Sequence, residues 1–204
     1  MDKEKSRTVI EKVIDNEIEA LRNMKKKIDI DSILKAVEMI NESKRKGGKI
    51  ITMGAGNSSI IARKIAHNFS CIEIPSFFLT SEEGLHGGLG VLQESDLVIA
   101  FSKGGKTREM LETIPAIKQK KVKMISVTES MDTDFAKAAD LVLIVKTERE
   151  ADTLDMIATS SSACMIALFD AIMVLMMKQQ GYRAEQFAVI HPGGAVGELL
   201  KNKN

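Results

Sequence analysis

The chain has 204 residues, 44% of them hydrophobic, enough to bury a real core in one sizeable domain or, at most, two small ones. Its 29 Lys and Arg nearly cancel its 28 Asp and Glu, so no global basic field favours nucleic acid and no acidic excess suggests a disordered tail. Aromatic residues make up 4% and Trp is absent, which argues against a base-stacking platform, so any anionic partner must be held locally.

Val9, Ile10, Val13, Ile14, Ile18 and Leu21 recur at three- and four-residue spacing and predict an amphipathic helix through about Lys27. A second helix is predicted from Asp31, read as its N-cap, to the Gly47-Gly48 stop. Beyond it, short apolar runs at 50–53, 76–79, 97–101, 124–127 and 141–145 alternate with helix-length segments. Most are apolar at consecutive positions, as strands covered on both faces are. Five strands joined by helical crossovers imply an α/β chain with a parallel sheet in a three-layer α/β/α sandwich. With no linker or repeat to divide it, the expectation is a single domain over 1–204, with N-terminal helices over 1–46 and the α/β core over 47–204.

The run 163–177, ACMIALFDAIMVLMM, is shorter than the roughly 18 residues a membrane span needs and carries Asp170 in its middle. It reads as a core or interface helix continuing to about Gln180, with Gly181 as its stop, and no membrane role is expected. Its methionines suit irregular packing. After it, HPGG is expected to lead into a short closing helix. Cys71 and Cys164 lie far apart without metal spacing, and no signal peptide precedes them, so they read as two buried thiols of a cytoplasmic protein.

In an open parallel sheet, ligands bind beyond the carboxyl ends of the strands. Three loops fall there. The first, GAGNSS at 54–59, offers Gly56 and Asn57 for close backbone approach and Ser58 as a hydroxyl donor. It is no dinucleotide fingerprint, because Ser59 stands where a third glycine would fall, and no Gly-Lys-Ser/Thr closes a Walker loop. The second, SKGGKTRE at 102–109, sets the Ser102 and Thr107 hydroxyls around Gly104 and Gly105 ahead of a helix. It reads either as a phosphate cradle or as a glycine-rich turn, with Lys103 and Lys106 as ligands or as solvated charges. The third brings Glu148, Glu150 and Asp152 before the hydroxyl run Thr159 to Ser162. It reads either as an acid–base group or as acidic residues complementing a helix dipole. Three histidines remain, and no spacing among them makes a zinc motif. His67 reads as a surface or packing residue, while His86 in EEGLHGGLG and His191 in HPGG are loop histidines suited to proton transfer.

Taken in order, GAGNSS, IPSFFLTSEEGLHGGLG, LVIAFSKGGKTREM, KTEREADTLDMIATSSS and AEQFAVIHPGGAVGELL resemble the sugar isomerase (SIS) domain over about residues 30–201. More narrowly, they resemble the isomerase domain of arabinose-5-phosphate isomerases. The resemblance implies a flavodoxin-like five-stranded sheet, phosphate contacts from Ser58, Ser102 and Thr107 with help from Ser161, and catalytic roles for Glu109, Glu150 and His191. His86 matches an active-site histidine. It also implies no metal and no cofactor, and a homotetramer built from dimers whose sites are shared, so that His86 or His191 serves a neighbour. The chain ends ten residues after Gly194, which leads to the expectation of an isomerase domain without the regulatory pair many relatives carry.

Two departures stand out. Asn57 occupies the position where the family's GMGKSG loop has lysine, so a hydrogen-bond donor replaces a charge. Gly104 replaces the second serine of the family's SxSGES loop, which removes a hydroxyl that Lys103 or Lys106 would offset. The expected reaction is aldose–ketose isomerisation of a phosphosugar, best matched to D-arabinose 5-phosphate and D-ribulose 5-phosphate. The phosphate anchors the substrate, and Glu150 and His191 divide ring opening and C2-to-C1 proton transfer. Either group then needs a pKa nearer neutrality than an exposed carboxylate's, with burial as the source. A phosphosugar-binding sensor without turnover is the competing reading, motivated by the same two departures.

Overall fold

Apolar runs at consecutive positions become strands here because helices cover both faces of the sheet. The computed structural model describes residues 2–193. Its strands are β1 (Ile50–Gly54), β2 (Ser76–Thr80), β3 (Leu97–Phe101), β4 (Lys123–Thr128) and β5 (Leu141–Ile144), all parallel, in the order β2-β1-β3-β4-β5. Along β3, Leu97, Ile99 and Phe101 enter one hydrophobic cluster while Val98 and Ala100 enter another on the opposite face. The alternation expected of a strand is present, but both sides of it are apolar.

Helices are numbered in chain order. α1 (Lys3–Lys26), α2 (Ile30–Arg45), α3 (Asn57–Ser70) and α7 (Ser160–Gln180) cover one face. α4 (Ser81–Leu85), the 3₁₀ turn Gly88–Val91, α5 (Arg108–Gln119) and α6 (Asp134–Lys137) cover the other, and α8 (Ala184–Ile190) follows α7. The three-layer α/β/α expectation holds. On the first face Phe169 of α7 meets Phe101 at 5.1 Å between ring centroids and Phe69 of α3 edge-on at 6.3 Å. Such pairs add about 0.5–1.5 kcal/mol to the area they bury.

Several local readings change. The N-cap of α2 is Asp29 rather than Asp31: its Oδ1 accepts the backbone N–H of Asp31 at 3.1 Å and of Ser32 at 3.4 Å, and Asp31 falls in the first turn. EEGLHGGLG contains a helical turn, α4, because Thr80 and Glu83 form a reciprocal capping box. α8 is a further helix that the closing segment did not announce. The amphipathic α1 forms, yet Val9, Ile10, Ile14 and Ile18 are exposed. Its contacts with the core come from Ala20, Leu21 and Met24 near its end. Cys164 is buried, whereas Cys71 is only half-buried, so the two-buried-thiol reading fails at Cys71.

By length and composition α7 would pass as a membrane span, but its inward face is built into the core through Cys164, Met165, Leu168, Phe169, Ile172 and Met176. Asp170 sits off that face and accepts from Lys64 Nζ at 2.9 Å and Asn68 Nδ2 at 2.8 Å, both on α3. Gly181 ends the helix at φ +60° as expected. The helix predicted beyond HPGG lies outside the described residues.

Candidate functional site

The strand order reverses at β1: β2 lies on one side of it and β3 on the other, opening a crevice at their carboxyl ends. Gly54 is dictated there by close approach, since a Cβ would stand 2.6 Å from the carbonyl oxygen of Ser58. α3 starts at Asn57, with Asn57 exposed and Ser58 half-buried at its first turn. Gly54, Gly56 and Ser59 line a cavity of about 590 Å³ together with Thr80, Ser81, Glu82, His86 and Glu109. His86 and Glu109, 23 residues apart in sequence, are thereby brought to one space. His86 is the C-cap of α4, and Glu109 lies in the first turn of α5.

The second loop follows β3. Ser102 is buried, and its Oγ lies 3.0 Å from Thr107 Oγ1, so the two hydroxyls converge across the turn ahead of α5. Gly105 has φ +63°, and a Cβ on it would stand 2.5 Å from Thr133 Oγ1. Only glycine fits that backbone conformation and that neighbour together. The loop is pinned from behind, where the Lys103 carbonyl accepts Glu129 N–H at 2.9 Å and the Thr128 hydroxyl at 2.8 Å. Gly104 and Lys106 are exposed.

The third region centres on Glu150, which is 1% exposed. Its Oε1 accepts from Lys103 Nζ at 2.8 Å and from the Ser161 hydroxyl. Its Oε2 accepts the Thr159 and Ser161 backbone N–H groups at 3.0 and 3.1 Å and the Thr159 hydroxyl at 3.2 Å. Burial pushes this carboxyl up, but the hydrogen bonds from Lys103, Ser161 and Thr159 outweigh it and hold Glu150 at about 2. Burial therefore does not bring Glu150 toward neutrality, contrary to the sequence expectation. Glu150 is the acidic cap of α7, satisfying the dipole reading, and at the same time the most fully desolvated carboxylate near the crevice. Ser161 directs both its N–H and its hydroxyl to Glu150, and so in this state is committed to the carboxylate rather than to a phosphate.

His191 is placed differently. α7 leaves the site and runs some 30 Å, by helical rise, to the other end of the sheet. There Tyr182 Oη donates to the Cys71 carbonyl at 3.2 Å and Gln186 Nε2 lies 3.3 Å from Glu73. His191 caps α8, with Nδ1 3.3 Å from the Phe187 carbonyl and its ring stacked on Phe187 at 3.8 Å. Among the described residues, none of its contacts links it to Glu150, Glu109 or His86.

Sequence reasoning named Thr159 and Asp152 only as members of the third cluster and missed Asp155; all three organise the loop around Glu150. Thr159 supplies two of the donors on Glu150, a role its position before an apolar helix signals as a cap. Asp152 accepts three backbone N–H groups, from Leu154, Met156 and Ile157, and Asp155 accepts that of Glu150. Both are the short acidic residues that shape loops.

The family description "SIS domain" matches residues 44–175. The chain is 40% identical over 153 residues to an arabinose 5-phosphate isomerase of Escherichia coli K12, covering 75% of this chain and 47% of that protein. It thus spans about half the length of the curated relatives it matches. A solved structure described as a putative sugar-phosphate isomerase of Listeria monocytogenes shares 42% identity at a TM-score of 0.91, covering 95% of this chain and all 100% of that one. An E. coli CFT073 protein in complex with arabinose 5-phosphate shares 29% identity at a TM-score of 0.89, covering 94% and 100%.

Proposed function

The chain belongs to the SIS domain family, and from that premise we propose that it is a phosphosugar aldose–ketose isomerase, interconverting D-arabinose 5-phosphate and D-ribulose 5-phosphate. The observation that carries this reading is the converging pair of hydroxyls, Ser102 and Thr107, on a glycine turn joined through Lys103 to a buried, ionised carboxylate. The named activities of the relatives, and the arabinose 5-phosphate held by the E. coli CFT073 protein, support the substrate class.

The phosphate sits at Ser102, Gly104 and Thr107, with Gly56, Asn57 and Ser58 closing the crevice from β1. This fixes the far end of the sugar and uses remote binding energy to orient C1 and C2. Glu150 takes the proton from C2 of the open aldose, because a carboxylate held ionised is an acceptor at neutral pH and a poor donor. O1 is protonated as C2 loses its proton, giving the cis-enediol. Returning the proton to C1 and releasing the O2 proton gives the ketose, so the step balances without an oxidant, a metal or a nucleotide. His86 and Glu109, in one cavity, assist ring opening and hydroxyl proton transfer. His191 joins from a second copy. That reading is supported by its separation from Glu150 within one chain and by the exposed apolar stripe of α1, and the assembly is a cytoplasmic homotetramer with shared sites.

The test is proton NMR of D-arabinose 5-phosphate incubated with the purified protein in D₂O, with other pentose and hexose phosphates in parallel. Loss of the C2 proton signal with formation of ribulose 5-phosphate is expected. Binding of these sugars with no exchange at C2 points instead to a sensor module, and no conversion of any of them sinks the isomerase reading.

A further inference from the structure

Glu150 receives five donors on its two oxygens, and they are not equivalent. Four come from Thr159 and Ser161, at the buried start of α7, two of them backbone N–H groups. The fifth is the Lys103 ammonium, carried on a flexible stem whose side chain is 36% exposed. Lys103 belongs to another element, the loop after β3, and is the immediate neighbour of Ser102, whose hydroxyl meets that of Thr107 at 3.0 Å. The donor able to leave Glu150 is therefore the one that sits beside the converging hydroxyls.

We propose that Lys103 is a positioning residue that couples occupation of the Ser102–Thr107 turn to release of the Glu150 carboxylate. With the turn empty, the ammonium rests on Glu150 Oε1. When a phosphate monoester dianion enters, the ammonium faces two negative charges on one side against one on the other and turns to the dianion. Oε1 then has an open lone-pair direction, while Thr159 and Ser161 keep the carboxylate in place. The phosphate end of a substrate thus prepares the base that acts at its other end, and the carboxylate stays capped until a substrate carrying phosphate arrives.

The electrostatic surroundings are simple enough to test this. Among the described residues, Lys103 is the cation paired with the Glu150 carboxylate. On Glu150's own loop Arg149 Nε reaches its carbonyl at 3.3 Å and Asp155 Oδ1 accepts its N–H. From α7 the thiol of Cys164 faces it, pushed up to about 11 by burial and by the Glu150 charge, and so remains neutral.

The inference rests on reading the Ser102–Thr107 turn as an anion site, and the experiment separates the two. Protein labelled with ¹³C at the glutamate carboxyl, with Glu150 identified by loss of its signal in Glu150→Gln, is titrated from pH 3 to 8 with and without sulfate, which remains a dianion throughout. Backbone amide shifts of Gly104 and Gly105 report occupancy. In the unsubstituted protein the Glu150 carboxyl should stay ionised across the range without sulfate and, from its resting value of about 2, rise by about two pH units or more, to a midpoint inside the range, when sulfate fills the turn. Lys103→Met should show the raised midpoint already, with sulfate adding little, and Lys103→Arg should restore the sulfate response. Amide shifts at Gly104 and Gly105 with no movement of Glu150, or equal movement in Lys103→Met, overturn the coupling. The absence of any amide shift at saturating sulfate overturns the anion site itself and the coupling with it.

Discussion

Ser102 Oγ and Thr107 Oγ1 lie 3.0 Å apart although four residues lie between them in the chain. The glycine turn between them folds back far enough for two short side chains to share one acceptor. A hydroxyl donating to a charged oxygen contributes about 1.5–3 kcal/mol. Ser102→Ala and Thr107→Val are each expected to lower kcat/KM for a phosphosugar by roughly 10- to 100-fold. The same variants should leave an unphosphorylated pentose bound equally weakly. Steady-state kinetics and titration calorimetry measure both.

Gly105→Ala is expected to lose about 1–3 kcal/mol of stability, because its φ of +63° is strained for alanine and its Cβ meets Thr133. Thr133→Ala in the same background should relieve the contact with Oγ1 while giving up the N-cap of α6, which that hydroxyl makes by accepting from Ala136 N–H at 3.2 Å, so the recovery is read against the Thr133→Ala single variant. Urea unfolding of the single and double variants resolves the two parts.

The low pKa of Glu150 ties stability to pH. Its folded value, about 2, is below the ordinary 4.5, so the stabilisation is fully present above about pH 4.5 and is lost as pH falls toward 2. Glu150→Gln forfeits it at every pH and also leaves N–H groups of α7 facing an amide. The gap between the two proteins should be on the order of 3 kcal/mol at pH 7 and should shrink below pH 4. A gap independent of pH would count against the ionised cap. Turnover by Glu150→Gln should be abolished.

If His191 serves a neighbour, Glu150→Gln and His191→Ala fail in different chains of one site. Mixing the two inactive proteins under conditions of subunit exchange should restore about a quarter of full activity, from hybrid pairs carrying one intact site. No recovery after demonstrated exchange would place the whole site in one chain. Ile10→Glu with Ile14→Glu, on the exposed stripe of α1, should shift sedimentation toward smaller species.

The strands were legible because burial on both faces leaves unbroken apolar runs: 97–101 is β3 to the residue, and the others differ by one residue at one end or both. The cap of α2 was misplaced by two residues because both Asp29 and Asp31 are capping types, and only backbone geometry tells them apart. The Glu150 site was half legible. Its acidic and hydroxyl residues are local, but Lys103 lies 47 residues away, and only the parallel crossovers bring the loops after β3 and β5 together. For the same reason its depressed pKa could not be foreseen: burial alone would have raised it, and the donors that reverse the sign include a lysine that local sequence offered as a phosphate ligand or a solvated charge, not as a partner of Glu150. His191 is the reverse case, plain as a motif yet separated from Glu150 by the length of α7, a distance that no local pattern encodes.

The unequal exposure of the two cysteines has a practical consequence. Cys164, one turn into α7 and kept protonated beneath a carboxylate, will not react with a maleimide at neutral pH. Cys71, half-exposed, with its sulfur 3.7 Å from His67 Nε2 and its carbonyl holding Tyr182, is the addressable thiol. A fluorophore attached there stands at the junction from which α8 departs. It would report, without any engineered cysteine, on the seating of that helix, whose Gln186 lies against Glu73.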